Sequence, residues 1–352
     1  MSARWFSDSG IMAPPDGSWG VAERILLTAG NSAVQRVYES FPAWSECAGY
    51  SIIEQRRADC NLETAFLQLL WAEQHLAPGA AETAVNLLHY LYCRSGLLAR
   101  SPRDSRIPRG VWNWSHIRWT PALWFDDNSW MCLLSLMIAR MHPELDRRFA
   151  LREWALLLAR TLAGGMAESF PVDENSLPVP PWSGHLRLPH WGSLVVAALC
   201  RAAAESPFPE AAALTDRYHE WILERQAQFN ASEYAYAVLG AAMAARVRGD
   251  RLSRDTARCF SDRLLALIDP ATGNLPSQHF ETPSGGHLVD LIYTVNWALP
   301  ALQCSAALFD DARYRVAAER LLRLALAIQD RSPEAHLHGC WRGMYDLNAG
   351  GW

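Results

Sequence analysis

The sequence predicts an all-α fold in which antiparallel helical hairpins close into a toroid around an aromatic, acid-bearing cavity. Three observations carry this. Apolar residues recur at helical spacing through most of the chain from Asp59 to Asp330, and no stretch shows convincing strand alternation. Proline and glycine break the pattern at intervals that give about ten helices in five pairs. One helix of each pair opens on a polar or aromatic cluster, with anchors at Asn61, Asn128, Gly192, Ser232 and Asn296, so the hairpin is an internal repeat.

Residues 1–58 read as an irregular N-terminal segment, with turn chemistry at Pro14-Pro15-Asp16-Gly17 and a short helix over Ala33–Ser40. Asn61–Leu76 is the first regular helix, with Leu62, Ala65, Phe66, Leu69 and Leu70 on one face. Pro78-Gly79 ends it, and Ala80–Leu98 returns. A Pro-rich loop over Ser101–Pro121 leads to Asp126–His142, which pairs with Glu144–Leu162. A second loop, Gly164–Pro189, precedes the pairs Trp191–Glu205 with Glu210–Phe229, and Ser232–Arg248 with Ser253–Ile268. After the loop Asp269–Gly286, His287–Phe309 pairs with Asp311–Asp330. Residues 331–352 form a Gly-rich, non-helical tail, and the whole is expected to be one domain. The longer loops precede the helix openings, so they gather on one rim, where a rigid scaffold builds its sites.

Composition narrows the chemistry. The formal charge of -5 gives no reason for nucleic acid or an anionic membrane as a partner. All 32 basic residues are Arg, which excludes a Lys Schiff base and a Walker-type phosphate loop. The eight Cys are scattered without a C-x-x-C pair and read as buried thiols of a reducing, cytoplasmic compartment. No signal peptide and no ~20-residue apolar span are legible. Nothing calls for a metal or cofactor.

The stretch Trp112–Trp130, WNWSHIRWTPALWFDDNSW, holds five of the 16 Trp and the acids Asp126 and Asp127. Asp at a helix start is commonly a cap. Here Trp112, Trp114, Trp119, Trp124 and Trp130 surround the pair, and an aromatic cluster beside carboxylates suits a sugar, whose C–H face stacks on indole. Paired carboxylates also cleave glycosides, one as acid and one as base or nucleophile. Adjacent Asp residues point apart on a helix, so a partner from another hairpin is expected. Asp59 and Glu63, one turn apart on one face, lead; Glu168, Glu233, Asp290 and Asp346 follow. Further candidate contacts are His190 and Trp191, Tyr234 in SEYAY, Tyr293 and Trp297 in YTVNW, and Trp341 and Arg342 in the tail.

On the hairpin repeat over 59–330 and on Asp126-Asp127-Asn128-Ser129-Trp130, the chain resembles the six-hairpin glycosidase superfamily, the (α/α)6 toroids of carbohydrate-active enzymes. That segment is similar to the D-D-N-x-W segment at an inner-helix start in several such families. The resemblance implies a glycoside hydrolase with Asp126 and Asp127 at the cavity mouth and Asp59, Glu63 and Trp130 lining it; epimerases and lyases share the fold. Five hairpins are clear, so a sixth has to come from 1–58 or be missing, and the chain ends at Gly350-Gly351-Trp352 without a closing helix. Two alternatives stay open: a sugar-binding or scaffold toroid without turnover, and a terpene-cyclase-like enzyme, whose D-D-x-x-D motif is interrupted by Trp130.

Overall fold

The computed structural model describes residues 2–27, 43–47, 49–101, 107–116, 123–170, 181–277 and 286–352. The helix expected over Ala33–Ser40 lies outside these, as does Trp119. Contacts divide the chain into two compact units, residues 1–158 with 330–340 and residues 159–329 with 341–352.

The first unit opens with α1 (Ser2–Asp8) and a three-stranded antiparallel sheet of β1 (Arg24–Leu27), β2 (Ala43–Cys47) and β3 (Tyr50–Ile53), ordered β1-β3-β2. This corrects the expectation that no strand forms. Each strand is only four or five residues long, too short for alternation to show, and β3 buries Ile52 and Ile53. Helix α2 (Ala58–Glu73) packs on both α3 (Ala80–His89) and α4 (Phe125–Met141). Past His89 the expected helix widens into a π-turn, Tyr90–Arg94.

The helix expected over 144–162 is broken into α5 (Pro143–Phe149) and α6 (Leu151–Ser169), and the chain enters the second unit within α6. Ala150 adopts φ 54° between them, while the Asp146 carboxylate accepts from the Arg152 N–H at 2.8 Å and starts the next helix. A side-chain cap thus competes with continued helix at this point.

The second unit holds three hairpins: α7 (Pro189–Ala203) with α8 (Pro209–Glu224), α9 (Ala231–Arg248) with α10 (Arg251–Ala266), and α11 (Val295–Phe309) with α12 (Ala312–Ala327). Helix α9 packs on α7 and on α11 as well as on its own partner. Its Ala- and Gly-rich sequence permits this: a Cβ at Gly240 would stand 2.4 Å from the Ser193 carbonyl. Asn230 and Asp250 cap α9 and α10, accepting from the N–H groups of Glu233 and Ser253. The tail forms β5 (Met344–Asp346), which pairs antiparallel with β4 (Leu288–Asp290). Among the described residues, five hairpins are present and no helix is long and apolar enough to cross a membrane.

Candidate active site

The four acids predicted to be catalytic come together in the first unit, at the first turns of α2 and α4. The link between them is Arg57, the residue just before α2. Its Nη2 donates to Asp59 Oδ2 at 2.5 Å and to Asp127 Oδ1 at 2.7 Å, and its Nε donates to Asp59 Oδ1 at 3.1 Å. Nη1 reaches Glu23 Oε1 at 3.5 Å, and the guanidinium lies 5.3 Å from the Trp114 ring centroid. Four of the five guanidinium donors are thereby used.

The acids divide by exposure. Asp59 and Asp127 are 7% and 6% exposed and consumed by Arg57, whereas Glu63 and Asp126 are half-buried. Burial, the charge of Asp59 and then that of Asp126 push the Glu63 carboxyl up to about 8, against the pull of Arg57. Burial, the charge of Asp59 and that of Asp126 also raise Asp127 well above the usual carboxylate range, against the pull of Arg57. The cluster thus offers a carboxylic acid that keeps its proton at neutral pH, with a second half-buried carboxyl on the neighbouring helix.

Two asparagines hold the surroundings by the same device. Asn61 Oδ1 accepts from the Val21 N–H at 2.8 Å, while its Nδ2 donates to the carbonyls of Val21 and Arg57. Asn128 Oδ1 accepts from the Trp112 N–H at 2.9 Å, while its Nδ2 donates to the carbonyls of Trp112 and Trp124. Gly20 allows the first clamp: at φ +81°, a Cβ there would meet Asn61 Oδ1 at 2.6 Å.

Trp112 is 2% exposed, with its ring edge-on to Tyr92 at 5.0 Å, so it is core rather than a sugar platform. Trp114, Trp124 and Trp130 are half-buried beside the acids in sequence, and the Trp124 indole N–H is buried without a hydrogen-bond partner among the described residues.

The other predicted residues belong to the second unit. His190 lies flat between two rings, 4.6 Å from Trp191 and 4.7 Å from Tyr236, each at 13°. Trp297 is tilted on Tyr236 at 4.9 Å, and the backbone N–H of His190 donates to Glu233 Oε2 at 2.7 Å. Tyr234 is 6% exposed and packs on Phe260, again as core. Tyr293 donates its backbone N–H to Asp290, whose two oxygens also accept from Ile292, Thr294 and Ser277; Asp290 is a buried turn-former. Trp341 is exposed, with its indole donating to the Ala325 carbonyl of α12, and Arg342 is half-buried next to it in sequence. Glu168 is exposed, and Asp346 is tied up by the N–H groups of Asn348 and Ala349. Among the described residues, no three His, Cys, Asp or Glu are placed to hold a metal ion.

No family model and no curated protein matches the sequence. Solved structures do. A cellobiose 2-epimerase from Bacillus thermoamylovorans is similar over 85% of this chain and 82% of its own, at TM-score 0.59 and 10% identity. A D-mannose isomerase is similar over 85% and 82%, at TM-score 0.57 and 12% identity. The chain has the fold of the six-hairpin glycosidase-like superfamily. Its fold class is the (α/α)6 toroid expected from the hairpin repeat. The Lin0763 protein from Listeria innocua matches over 99% of this chain and 92% of its own, at TM-score 0.57 and 9% identity.

Proposed function

We propose that this chain is a carbohydrate-active enzyme in which Glu63 and Asp126 form an acid–base pair that moves a proton on a sugar, epimerising or isomerising it. The observation that carries this is the division among the acids. Asp59 and Asp127 are committed to Arg57, while Glu63 holds a proton up to about pH 8 opposite Asp126. The activities of the similar structures, a cellobiose 2-epimerase and a D-mannose isomerase, favour proton transfer as the reaction.

In the proposed step the Asp126 carboxylate takes the proton from the carbon beside the carbonyl of the open-chain sugar. The C–H electron pair forms the enediol, and Glu63 delivers its proton to the carbonyl oxygen. Return of the Asp126 proton to the opposite face of that carbon, after the enediol turns about the adjoining C–C bond, gives the epimer, and its return to the neighbouring carbon gives the isomer; in both, the enediol hydroxyl that becomes the carbonyl gives its proton back to Glu63. Trp114 and Trp130 supply indole faces for the sugar's C–H surface.

The D-D-N-x-W segment favours a second reading, glycoside hydrolysis, with Glu63 protonating the leaving oxygen. Asp59 and Asp127 do not suit that pair, since both hold one Arg57 nitrogen and leave no room for a sugar between them. Incubation with aldoses, cellobiose and aryl-glycosides, followed by NMR and reducing-end assays, separates the readings. A new isomer without new reducing ends supports proton transfer; new reducing ends support hydrolysis. Undiminished turnover by both Glu63→Gln and Asp126→Asn contradicts either. Sugar binding without turnover, insensitive to both acids, favours a binding protein.

A further inference from the structure

Helix α12 carries apolar residues on both of its sides. Tyr314, Ala317, Ala318 and Leu321 are buried, and the helix packs on α11. The opposite side of such a helix is ordinarily polar. It is so on the other two return helices of the second unit. The outer residues of α8 and α10, among them Arg217, Glu220, Arg254, Asp255 and Asp262, include no exposed large apolar side chain. On α12, by contrast, Val316 is 54% exposed, Leu326 48% and Leu322 39%. Single apolar residues scattered on a surface call for no explanation, but these are ordered. Ala312, Val316, Glu319, Arg323 and Leu326 are spaced by four, three, four and three residues, the seam spacing of a coiled coil. All five are exposed, on the side opposite the buried residues. Trp341 stands exposed at the Leu326 end, with its indole N–H on the Ala325 carbonyl.

This outer seam is complementary to itself. Its middle is the Glu319–Arg323 pair, 3.3 Å apart within the helix, and its apolar positions on either side are Val316 and Leu326. Two copies of α12 laid antiparallel, with a two-fold axis at the level of Leu321, bring Val316 of each against Leu326 of the other. The same axis brings Glu319 of each against Arg323 of the other. Arg315 falls against Ala327 and Arg320 against Leu322, so like charges do not meet. A parallel pairing in register would set Glu319 on Glu319 and Arg323 on Arg323, which repel. We propose that α12 is the face through which two copies of this chain pair, antiparallel, as an isologous dimer. The charge pattern commits the face to a second copy, because the helix itself supplies both the acid and the base in matching register. A single helix pair lies at the small end of interface sizes, so the dimer is expected at micromolar rather than nanomolar concentration.

Sedimentation velocity of the full chain from about 1 to 100 µM tests this. The wild type passes from monomer to dimer within that range. Glu319→Arg and Arg323→Glu each set like charges opposite one another and raise the dimer Kd by at least about tenfold. Mixing these two variants restores a one-to-one dimer, because every seam charge then meets its opposite. All the altered positions are exposed, and circular dichroism reports an unchanged fold. Should a charge variant not fold, Leu326→Ser, which only removes apolar seam surface, decides in its place by the same loss of dimer. A chain that stays monomeric to the top of the range overturns the proposal and leaves this face to a different protein. A dimer that neither charge change weakens, or that Leu326→Ser leaves intact, overturns it equally by moving the contact to another surface.

Discussion

In the first unit, one guanidinium holds two buried carboxyls and leaves two more half-buried beside them. In the second, His190 stacks on Trp191 and Tyr236 and Trp297 tilts on Tyr236, with the buried Glu233 carboxyl bonded to a backbone N–H. The rings gain by leaving water, and their packing accounts for the burial of Tyr236. The acids lose by it: withdrawing charge from water costs several kcal/mol per ion, and an apolar replacement of a buried ion pair is often as stable. An arrangement that stability does not require, and that holds a proton at neutral pH, is the better candidate for chemistry. The two regions should therefore respond in opposite ways when cut.

The largest effect is expected at the acids. Glu63→Gln should lower turnover on the converted sugar by roughly a hundred- to ten-thousandfold while leaving the melting temperature unchanged or higher. Loss of folding together with activity would erase the contrast. In the ring stack, Tyr236 is 2% exposed between His190 and Trp297, and Tyr236→Ala should cost about 3–5 kcal/mol in denaturant unfolding. A Tyr236→Ala protein of wild-type stability that no longer turns over sugar would move the proposed chemistry to the second unit.

The two units should also answer pH with opposite signs. His219, 1% exposed against Ser253 with Asp250, Arg248 and Asp216 around it, is pushed by burial down to about 4. The unfolded chain takes up that proton below about 6.5 and the folded chain only near 4, so stability falls with pH across this window, by about 3 kcal/mol in all. Glu63 works the other way. Its folded value near 8 lies above the unfolded one, so its contribution is full below about 4.5 and is lost as pH rises through 8. Urea unfolding of the wild type and Glu63→Gln at pH 5 and 9 measures this: Glu63→Gln should lose less stability on going to pH 9, and equal losses would contradict it.

The smallest effect sharpens the likeness between α2 and α4. Asn61→Ala and Asn128→Ala each strand a buried backbone N–H and carbonyl and should each destabilise by about 1–3 kcal/mol. Markedly unequal costs would break the equivalence of the two clamps.

The helices were legible because their apolar spacing is long-range and redundant; α2, α4, α7, α9 and α10 begin within a few residues of their expected starts. Asp59, Glu63, Asp126 and Asp127 were legible as one cluster of acids, because acids at helix openings among indoles are an unusual combination. Their separation into bound and half-buried pairs was not, because it depends on one cation whose contacts span 70 residues. A signal did exist: an Arg directly before a helix opposes the dipole and needs a partner. Trp112 and Tyr234 were misplaced as sugar contacts because residue type does not reveal which way a ring faces. The short strands and the break at Ala150 depend on pairings and on one Asp146 cap that periodicity does not register.

Solvent exchange tests the proposed proton transfer by the Glu63–Asp126 pair most directly. Wild type and Glu63→Gln are incubated in D₂O with a panel of aldoses and reducing disaccharides, and deuterium at the carbon beside the carbonyl is followed by NMR. The predicted result is deuterium incorporation by the wild type, slowed by at least about a hundredfold in Glu63→Gln. Incorporation at the same rate in both proteins, or conversion of a sugar by the wild type with no deuterium entering that carbon, would contradict it.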